Sequence, residues 1–398
     1  MSKRATVEFR LVWESPYARH EEGYAFQKLN FWRDLFPGDF AKHLPELAEG
    51  DEHQEDFSAG ILVPPYDENL VISLPKSKLN FKAVASGAVE HLPGRFYPRG
   101  ILQSAYTFPG ETGPFRYLGN RGPFLVADLN HPLASFPLTL SARLTEHLSP
   151  RVERGGLCND IAYTLTDQGP GMAVPHRDRE TCFLEGAPFA RENDDADAGF
   201  YNTPRLVNHI DAAAREMISH IYGRILKPGM AVLDLMSSVN SHLPGNVDDL
   251  RVVGLGMNRE ELSENAGLRD FVVHDLNRKP KLPHGDKAFD AALCSVSVEY
   301  LIHPVEVFRE VARVLKPGGS FVVTFSNRWF PPKVIRLWTE LHEFERVGLV
   351  LDYFRRSGRF QNLQTLSLRG YPRPGEDRYS PVTDPTDPVF AVWGAALD

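Results

Sequence analysis

The second half of the chain alternates short apolar segments with longer segments of helical periodicity. Each short segment is apolar throughout, as a strand must be when helices cover both faces of its sheet. Alternation of this kind predicts an α/β domain built on a mostly parallel, doubly wound sheet. The predicted strands are Ala231–Leu235, 251–255, 271–273, 291–294 and 320–325, and the predicted helices include 205–226 and 305–315.

The length of 398 residues is sufficient for two domains, each with its own core. Residues 1–150 contain short β-rich runs at 6–13, 123–129 and 138–144, and predict a β-rich α+β domain. Residues 151–199 are rich in Gly, Pro and Asp, which predicts a connector on the surface. The α/β domain is then expected at 200–398.

Composition narrows the function classes. The formal net charge of −8 provides no overall attraction to nucleic acid, and the sequence lacks an apolar run of about 18 residues that would span a membrane. Cys158, Cys182 and Cys294 lack the spacing of a zinc or redox site, and the first ten residues lack a secretion signal. We expect a cytoplasmic protein without a metal, acting on a small molecule or a peptide. The oligomeric state is not predicted.

The residues that follow each predicted strand are the candidate ligand-binding residues. In an open parallel sheet the ligand binds across the carboxyl ends of the strands. The candidates are Asp234, Met236, Ser237, Ser238 and Asn240 after the first strand, Gly256, Met257 and Asn258 after the second, Asp275 and Leu276 after the third, and Ser295 after the fourth.

The fourth strand and the helix after it have a distinctive sequence. The run Phe289–Ser295, then Tyr300 and Pro304, then Leu-Lys-Pro-Gly-Gly at 315–319, resembles the methyltransferase type 11 group of class I methyltransferases. The resemblance extends over roughly 204–398 and implies a Rossmann-like fold with S-adenosylmethionine as cofactor. It also implies that Asp275 reads the adenine amino group of the cofactor.

Two positions differ from the pattern of this family. The family has a Gly-rich turn after the first strand, where this chain has Met236 to Ser241 in sequence, and serine hydroxyls or Asn240 would replace backbone contacts. The family has a ribose-binding acid after the second strand, where this chain has Gly256, and Asn258 is the nearest polar substitute.

Candidate catalytic residues follow the fourth strand. The resemblance places Glu299, Tyr300 and His303 near the methyl-donor end of the cleft. Methyl transfer needs alignment above all, so a general base is optional. His242 is either a solvated histidine at the start of the next helix or a site residue.

The N-terminal part resembles a second family. The run Asp-Leu-Asn-His-Pro-Leu-Ala at 128–134, with weaker matches at 35–51 and 64–77, resembles FKBP-type prolyl isomerases of the SlyD kind over residues 5–147. The resemblance implies a peptide-binding cleft with aromatic walls, and Val63 stands where that family has a tyrosine.

The sequence therefore predicts S-adenosylmethionine-dependent methyl transfer to an unidentified acceptor, with an FKBP-like domain assisting substrate binding. Two alternatives stay open. One is a peptidyl-prolyl isomerase or a peptide-binding chaperone. The other is a non-catalytic scaffold with a degenerate methyltransferase fold, which the changed turn and the missing ribose acid favour.

Overall fold

The computed structural model describes residues 2–79, 91–104, 107–108, 110–151, 156–167, 169–177 and 179–398. The chain forms two compact units. Unit 1 comprises Met1–Tyr17, Glu22–Pro188 and Glu340–Leu349, and unit 2 comprises Ala18–Glu21, Phe189–Thr339 and Val350–Asp398. Residues 152–155, 168 and 178 of the predicted connector lie outside the described residues. The sequence did not indicate that each unit also takes a short segment from elsewhere in the chain.

Unit 1 is rich in antiparallel strands. One set has the order β2-β1-β8-β3 and the other the order β4-β7-β6-β5. The elements are β1 (Ser2–Glu14), β2 (Arg19–Asn30), α1 (Phe40–His43), β3 (Glu52–Phe57), β4 (Val71–Pro75), β5 (Phe96–Pro98), β6 (Pro114–Arg121), β7 (Phe124–Asp128), β8 (Leu138–Arg151) and α2 (Ile161–Thr166). The likeness to FKBP-type isomerases stays a prediction.

Unit 2 contains the predicted parallel sheet. Its strand order is β11-β10-β9-β12-β13-β15-β14, and β15 runs antiparallel to both neighbours. The prediction of a mostly parallel Rossmann-like sheet is confirmed. The elements are α3 (Asp197–Tyr201), α4 (Ala212–Gly223), β9 (Ala231–Leu235), β10 (Arg251–Gly256), α5 (Arg259–Glu264), β11 (Asp270–Val273), β12 (Phe289–Ser295), α6 (Pro304–Val314), β13 (Leu315–Phe325), α7 (Arg336–Glu340), α8 (Glu343–Ser357, of which the residues up to Leu349 belong to unit 1), β14 (Phe360–Arg369) and β15 (Val389–Ala396).

Two predicted helices differ in the structure. The helix predicted at 205–226 begins only at Ala212, because Asp211 caps it by accepting a hydrogen bond from the Ala214 amide. Residues 236–250, which the structure describes in full, contain no helix between β9 and β10, so the placement of His242 at a helix start is wrong. Pro244 and Gly245 in this segment oppose helix formation.

The central strands of unit 2 are buried in the core, and this packing holds the carboxyl ends of the strands in position. Val232 and Leu293 are fully buried, and Cys294 is a small apolar core residue, as predicted. Helix α6 packs on the sheet through Phe308. The centroid of its ring lies 4.9 Å from that of Phe321 in β13. None of the helices in the part of the chain that the structure describes has the length and hydropathy to cross a bilayer.

A buried histidine makes the stability of unit 2 depend on pH. His20 is fully buried, its Nδ1 lies 2.8 Å from the Thr365 hydroxyl, and burial lowers its pKa to about 3. The unfolded chain binds a proton near pH 6.5, whereas the folded chain does not. The stabilisation is therefore complete above pH 6.5 and is lost as the pH falls toward 3, by up to about 1.4 kcal/mol per pH unit.

We expect urea unfolding to show a steep loss of stability from pH 7 to pH 5. The variant His20→Asn should have a smaller pH slope, because asparagine does not titrate there. The control is His220→Asn, at an exposed histidine of the same unit. An unchanged slope in His20→Asn would contradict this account.

Candidate functional site

One cleft lies at the carboxyl ends of β9, β10, β11 and β12 in unit 2. It brings together most of the predicted cofactor-binding residues, namely Met236, Ser237, Ser238, Gly256, Met257, Asn258, Asp275 and Leu276. A recess beside it has Met236, Ser237 and Ser238 in common with the cleft, and Asp234, Asn240 and Ser295 also line it. The predicted residues thus border one continuous region of unit 2.

A buried carboxylate organises the turn after β9. Asp234 is 2% exposed and accepts hydrogen bonds from the hydroxyls of Ser237, at 2.5 Å, and Ser241, at 2.6 Å. Burial raises the pKa of Asp234 to about 6, although both hydroxyls act in the opposite direction. Met236 adopts a φ of 57°, in the left-handed region. A glycine would adopt this conformation with less steric strain than a methionine. Asp234 therefore holds the turn in place of the glycines of the family pattern.

The same turn explains why Gly256 is not an acid. The Ser237 amide donates to the Leu255 carbonyl at 2.8 Å, which brings the turn against the end of β10. A Cβ at position 256 would lie 2.2 Å from the Ser237 carbonyl oxygen, which is closer than atoms can approach. A side chain at this position is excluded unless the turn moves.

Asn258 is engaged in structural hydrogen bonds. Its Oδ1 accepts from the amides of Glu260 and Glu261, which caps α5. Its Nδ2 donates to the carbonyls of Tyr201 and Asn202. Asn258 lines the cleft as predicted, but its amide group is occupied by these contacts.

Glu261, which was not predicted from the sequence, places a carboxylate in the wall of the cleft. Glu261 is 8% exposed, and its two oxygens accept from the Ser238 hydroxyl at 2.6 Å and the Arg205 amide at 2.7 Å. It lies in the first turn of α5, five residues after Gly256. The sequence feature that could have indicated Glu261 is an acidic residue in the first turn of the helix after β10.

Asp275 presents a carboxylate oxygen to the cleft. Its Oδ1 accepts hydrogen bonds from the amides of Asn277, at 2.9 Å, and Arg278, at 3.1 Å. Within the described parts of the chain, Oδ2 accepts no hydrogen bond, so it is available to a ligand. The neighbouring Leu276 is 4% exposed and adds an apolar surface.

Of the three predicted catalytic residues, only Tyr300 lies at the cleft. Its hydroxyl accepts from the Phe330 amide at 2.8 Å, and burial raises its pKa well above the usual value, so it keeps its proton. Glu299 is 1% exposed and is not part of the cleft wall. His303 is exposed at the start of α6 and does not line the cleft.

His209 is a second residue that sequence reasoning missed. It lines the cleft, the recess and a lateral chamber of about 710 Å³. Its ring lies edge-on to Phe330 at 5.2 Å, and burial lowers its pKa below the usual value. His242 lines the recess, where burial above all lowers its pKa to about 4. Both imidazoles are therefore neutral near pH 7.

The lateral chamber adjoins the cleft. The two cavities have His209, Val296, Tyr300 and Phe330 as common wall residues. The remaining chamber wall carries both charged and aromatic side chains, among them Arg215, Arg328, Trp329, Asp377, Arg378, Tyr379 and Asp387. In the described parts of the chain, no group of three or more His, Cys, Asp and Glu side chains is arranged to hold a metal ion.

Comparison with known proteins identifies the kind of domain. Residues 241–323 match a family described as a methyltransferase domain. These residues lie in unit 2, and the cofactor of methyltransferase domains of this kind is S-adenosylmethionine.

Curated relatives match part of the chain. Methyltransferase GfsG of Streptomyces halstedii is 27% identical over 33% of this chain and 50% of its own length. The ubiquinone/menaquinone biosynthesis C-methyltransferase UbiE of Bartonella henselae is 33% identical over 25% of this chain and 38% of its own length. The chain thus spans half or less of these two relatives. A solved S-adenosylmethionine-dependent methyltransferase from Aquifex aeolicus is 18% identical, covering 50% of this chain and 97% of its own, with a TM-score of 0.31.

An aspartate at position 256, where the family has its ribose-binding acid, should displace the turn after β9. We expect Gly256→Asp to destabilise unit 2 by about 1–3 kcal/mol, because the new Cβ displaces the Ser237 carbonyl. It should also weaken binding of S-adenosylhomocysteine, measured by calorimetry beside thermal unfolding. The control is Gly285→Asp, since a Cβ there meets nothing within 4 Å. Tighter binding by Gly256→Asp would show that the turn is free to move.

Proposed function

We propose that unit 2 binds S-adenosylmethionine in the cleft and catalyses transfer of its methyl group to a small molecule in the lateral chamber. One observation carries this proposal. A cleft at the carboxyl ends of β9 to β12, in a segment that matches a methyltransferase domain, adjoins a chamber through common wall residues. Two ligands in these cavities would meet beside His209 and Tyr300.

The side chains of the cleft fit the chemistry of the cofactor. The Oδ2 of Asp275 can accept a hydrogen bond from the adenine amino group, with Leu276 and Met257 against the ring. The ribose hydroxyls need a carboxylate acceptor, and Glu261 supplies one in the cleft where Gly256 cannot. The turn that Asp234 holds borders the recess, which would take the amino-acid portion.

Arg205 is placed to add a positive charge to the cleft. Its guanidinium lies 4.4 Å from the Phe200 ring and 5.1 Å from the Phe330 ring. It donates to the carbonyls of Phe200 and Thr203, and it pairs with no carboxylate in the part of the chain that the structure describes. Arg205 lines the cleft and not the recess, so its positive charge would act on the part of the cofactor that lies in the cleft.

When bound, S-adenosylmethionine supplies an electrophilic methyl group on a sulfonium. His209 is neutral near pH 7, so a nitrogen of its ring can take the proton of an acceptor hydroxyl. The Tyr300 hydroxyl receives a hydrogen bond from Phe330, which leaves its own proton free to orient an acceptor oxygen. The rings of Tyr300 and Phe330 stack with their centroids 6.0 Å apart where the cleft meets the chamber.

The first test is calorimetric titration of S-adenosylmethionine and S-adenosylhomocysteine into the whole chain. We expect micromolar binding and at least a tenfold higher Kd in Asp275→Asn, about 1.4 kcal/mol. The asparagine Oδ1 still accepts from Asn277 and Arg278, while its Nδ2 opposes a donor in the cleft. The control is Asp270→Asn, an exposed residue at the other end of β11. Absence of heat at millimolar ligand would leave the scaffold alternative.

We propose as a second candidate that unit 1 binds a peptide, as an FKBP-like domain would. One pocket of unit 1 favours this, because aromatic and proline side chains form part of its wall. These are Pro16, Tyr17, Tyr66, Phe96, Pro132, Phe136 and Pro175, and charged side chains such as Arg116, Asp128 and Arg177 also line the pocket. Aromatic rings in such a wall suit a proline-containing segment.

A proline-containing tetrapeptide tests this second candidate. Tyr66→Ala should weaken binding, measured by fluorescence anisotropy, and should slow any cis–trans isomerisation of the peptide. Tyr163→Ala is the matched control, since Tyr163 is 56% exposed in unit 1 and does not line the pocket. Equal binding by both variants would remove the pocket from consideration.

A further inference from the structure

We infer that the lateral chamber binds a planar aromatic carboxylate, whose anionic group pairs with Arg215. This inference names the class of acceptor for the site in unit 2, so it rests on the proposed function. Three features of the chamber support it: aromatic walls, three acidic side chains that already pair with arginines of the protein, and an arginine without an anionic partner among the described residues.

The aromatic wall residues favour a flat ligand. Tyr300 and Phe330 stack at 6.0 Å with an angle of 27° between their rings, at the boundary with the cleft. Trp329 and Tyr379 line the chamber as well. Aromatic pairs are most stable in offset-stacked or edge-to-face contact, so a ring in the chamber gains contacts that an aliphatic ligand does not. The volume of about 710 Å³ accommodates a substituted single ring.

Three of the four acidic residues of the chamber, Asp211, Asp377 and Asp387, pair with neighbouring arginines, and the fourth, Glu376, is exposed to solvent. Arg373 donates to Asp377 at 3.0 Å and to Asp387 at 2.8 Å, and it lies 3.1 Å from Asp211. Arg328 adds a second ion pair to Asp387 at 3.0 Å. These carboxylates therefore do not need a cationic ligand.

Arg215, unlike these carboxylates, lacks an ion-pair partner among the described residues. Its Nε is buried and has no hydrogen-bond partner in the described residues, and none of their carboxylates lies within 4.0 Å of its guanidinium. An unpaired buried donor of a charged group is costly, and a carboxylate ligand removes this cost. The nearby imidazoles of His209 and His242 add no negative charge, and the positive charge of Arg215 contributes to lowering the pKa of His242.

A second arginine lies at the edge of the chamber. Arg378 is exposed and its guanidinium lies 4.6 Å from the Tyr379 ring, without a carboxylate partner among the residues that the structure describes. Its charge favours the approach of an anion. Arg215 and Arg378 thus provide one partly buried and one exposed positive charge around aromatic walls.

The test is calorimetric titration of 4-hydroxybenzoate into the whole chain saturated with S-adenosylhomocysteine. Two matched probes separate the contributions: 4-hydroxybenzyl alcohol has the ring without the charge, and cyclohexanecarboxylate has the charge without an aromatic ring. We expect 4-hydroxybenzoate to bind at least tenfold more tightly than either. Equal binding by the alcohol, or no binding of 4-hydroxybenzoate at millimolar concentration, would overturn the inference.

Arginine variants locate the site. Arg215→Gln should raise the Kd of 4-hydroxybenzoate at least tenfold and leave S-adenosylhomocysteine binding unchanged, which also verifies that the variant folds. Arg215→Lys should retain part of the affinity, and Arg269→Gln, at an exposed arginine of the same unit, should have no effect. An unchanged Kd in Arg215→Gln would overturn the inference. Failure of the proposed function is distinct, since S-adenosylhomocysteine itself would then not bind.

Discussion

The cleft depends on the hydrogen bonds from two serine hydroxyls to the buried carboxylate of Asp234. These bonds fix the turn after β9, with Met236 in a left-handed conformation and the Ser237 carbonyl against the end of β10. A Gly-rich turn reaches a similar shape through backbone freedom. Here side-chain hydrogen bonds replace that freedom, and a carboxylate within a protein core is stable only with such partners.

One consequence concerns the ribose-binding acid that the family has after the second strand. The Ser237 carbonyl occupies the space of a side chain at Gly256, and the next buried acid along the chain is Glu261 in α5. Glu261 bonds to Ser238, so the same turn also holds the acid that we propose for the ribose. The two departures from the family pattern are thus one structural change, which weakens the case for a degenerate scaffold.

The sequence predicted the sheet of unit 2 and the cleft residues at its edge, because strand ends follow directly from apolar segments. It did not find Glu261 or His209, since their positions depend on where α5 and α4 begin. Of the catalytic candidates that the resemblance implied, Glu299 is buried and His303 is exposed, and their catalytic role stays a prediction. The segments that each unit takes from elsewhere have no local pattern and could not be predicted.

The contact between Ser237 and position 256 also bears on how relatives of this protein are recognised. The contacting atom is the backbone oxygen of Ser237, so it is the conformation of the turn that excludes a side chain at 256, and the residues that hold the turn are linked to that glycine. A sequence profile that requires both a glycine-rich turn and an acid at position 256 will overlook such proteins. A profile that pairs serine at 237 and glycine at 256 with an acid at 261 should instead collect them as a distinct lineage.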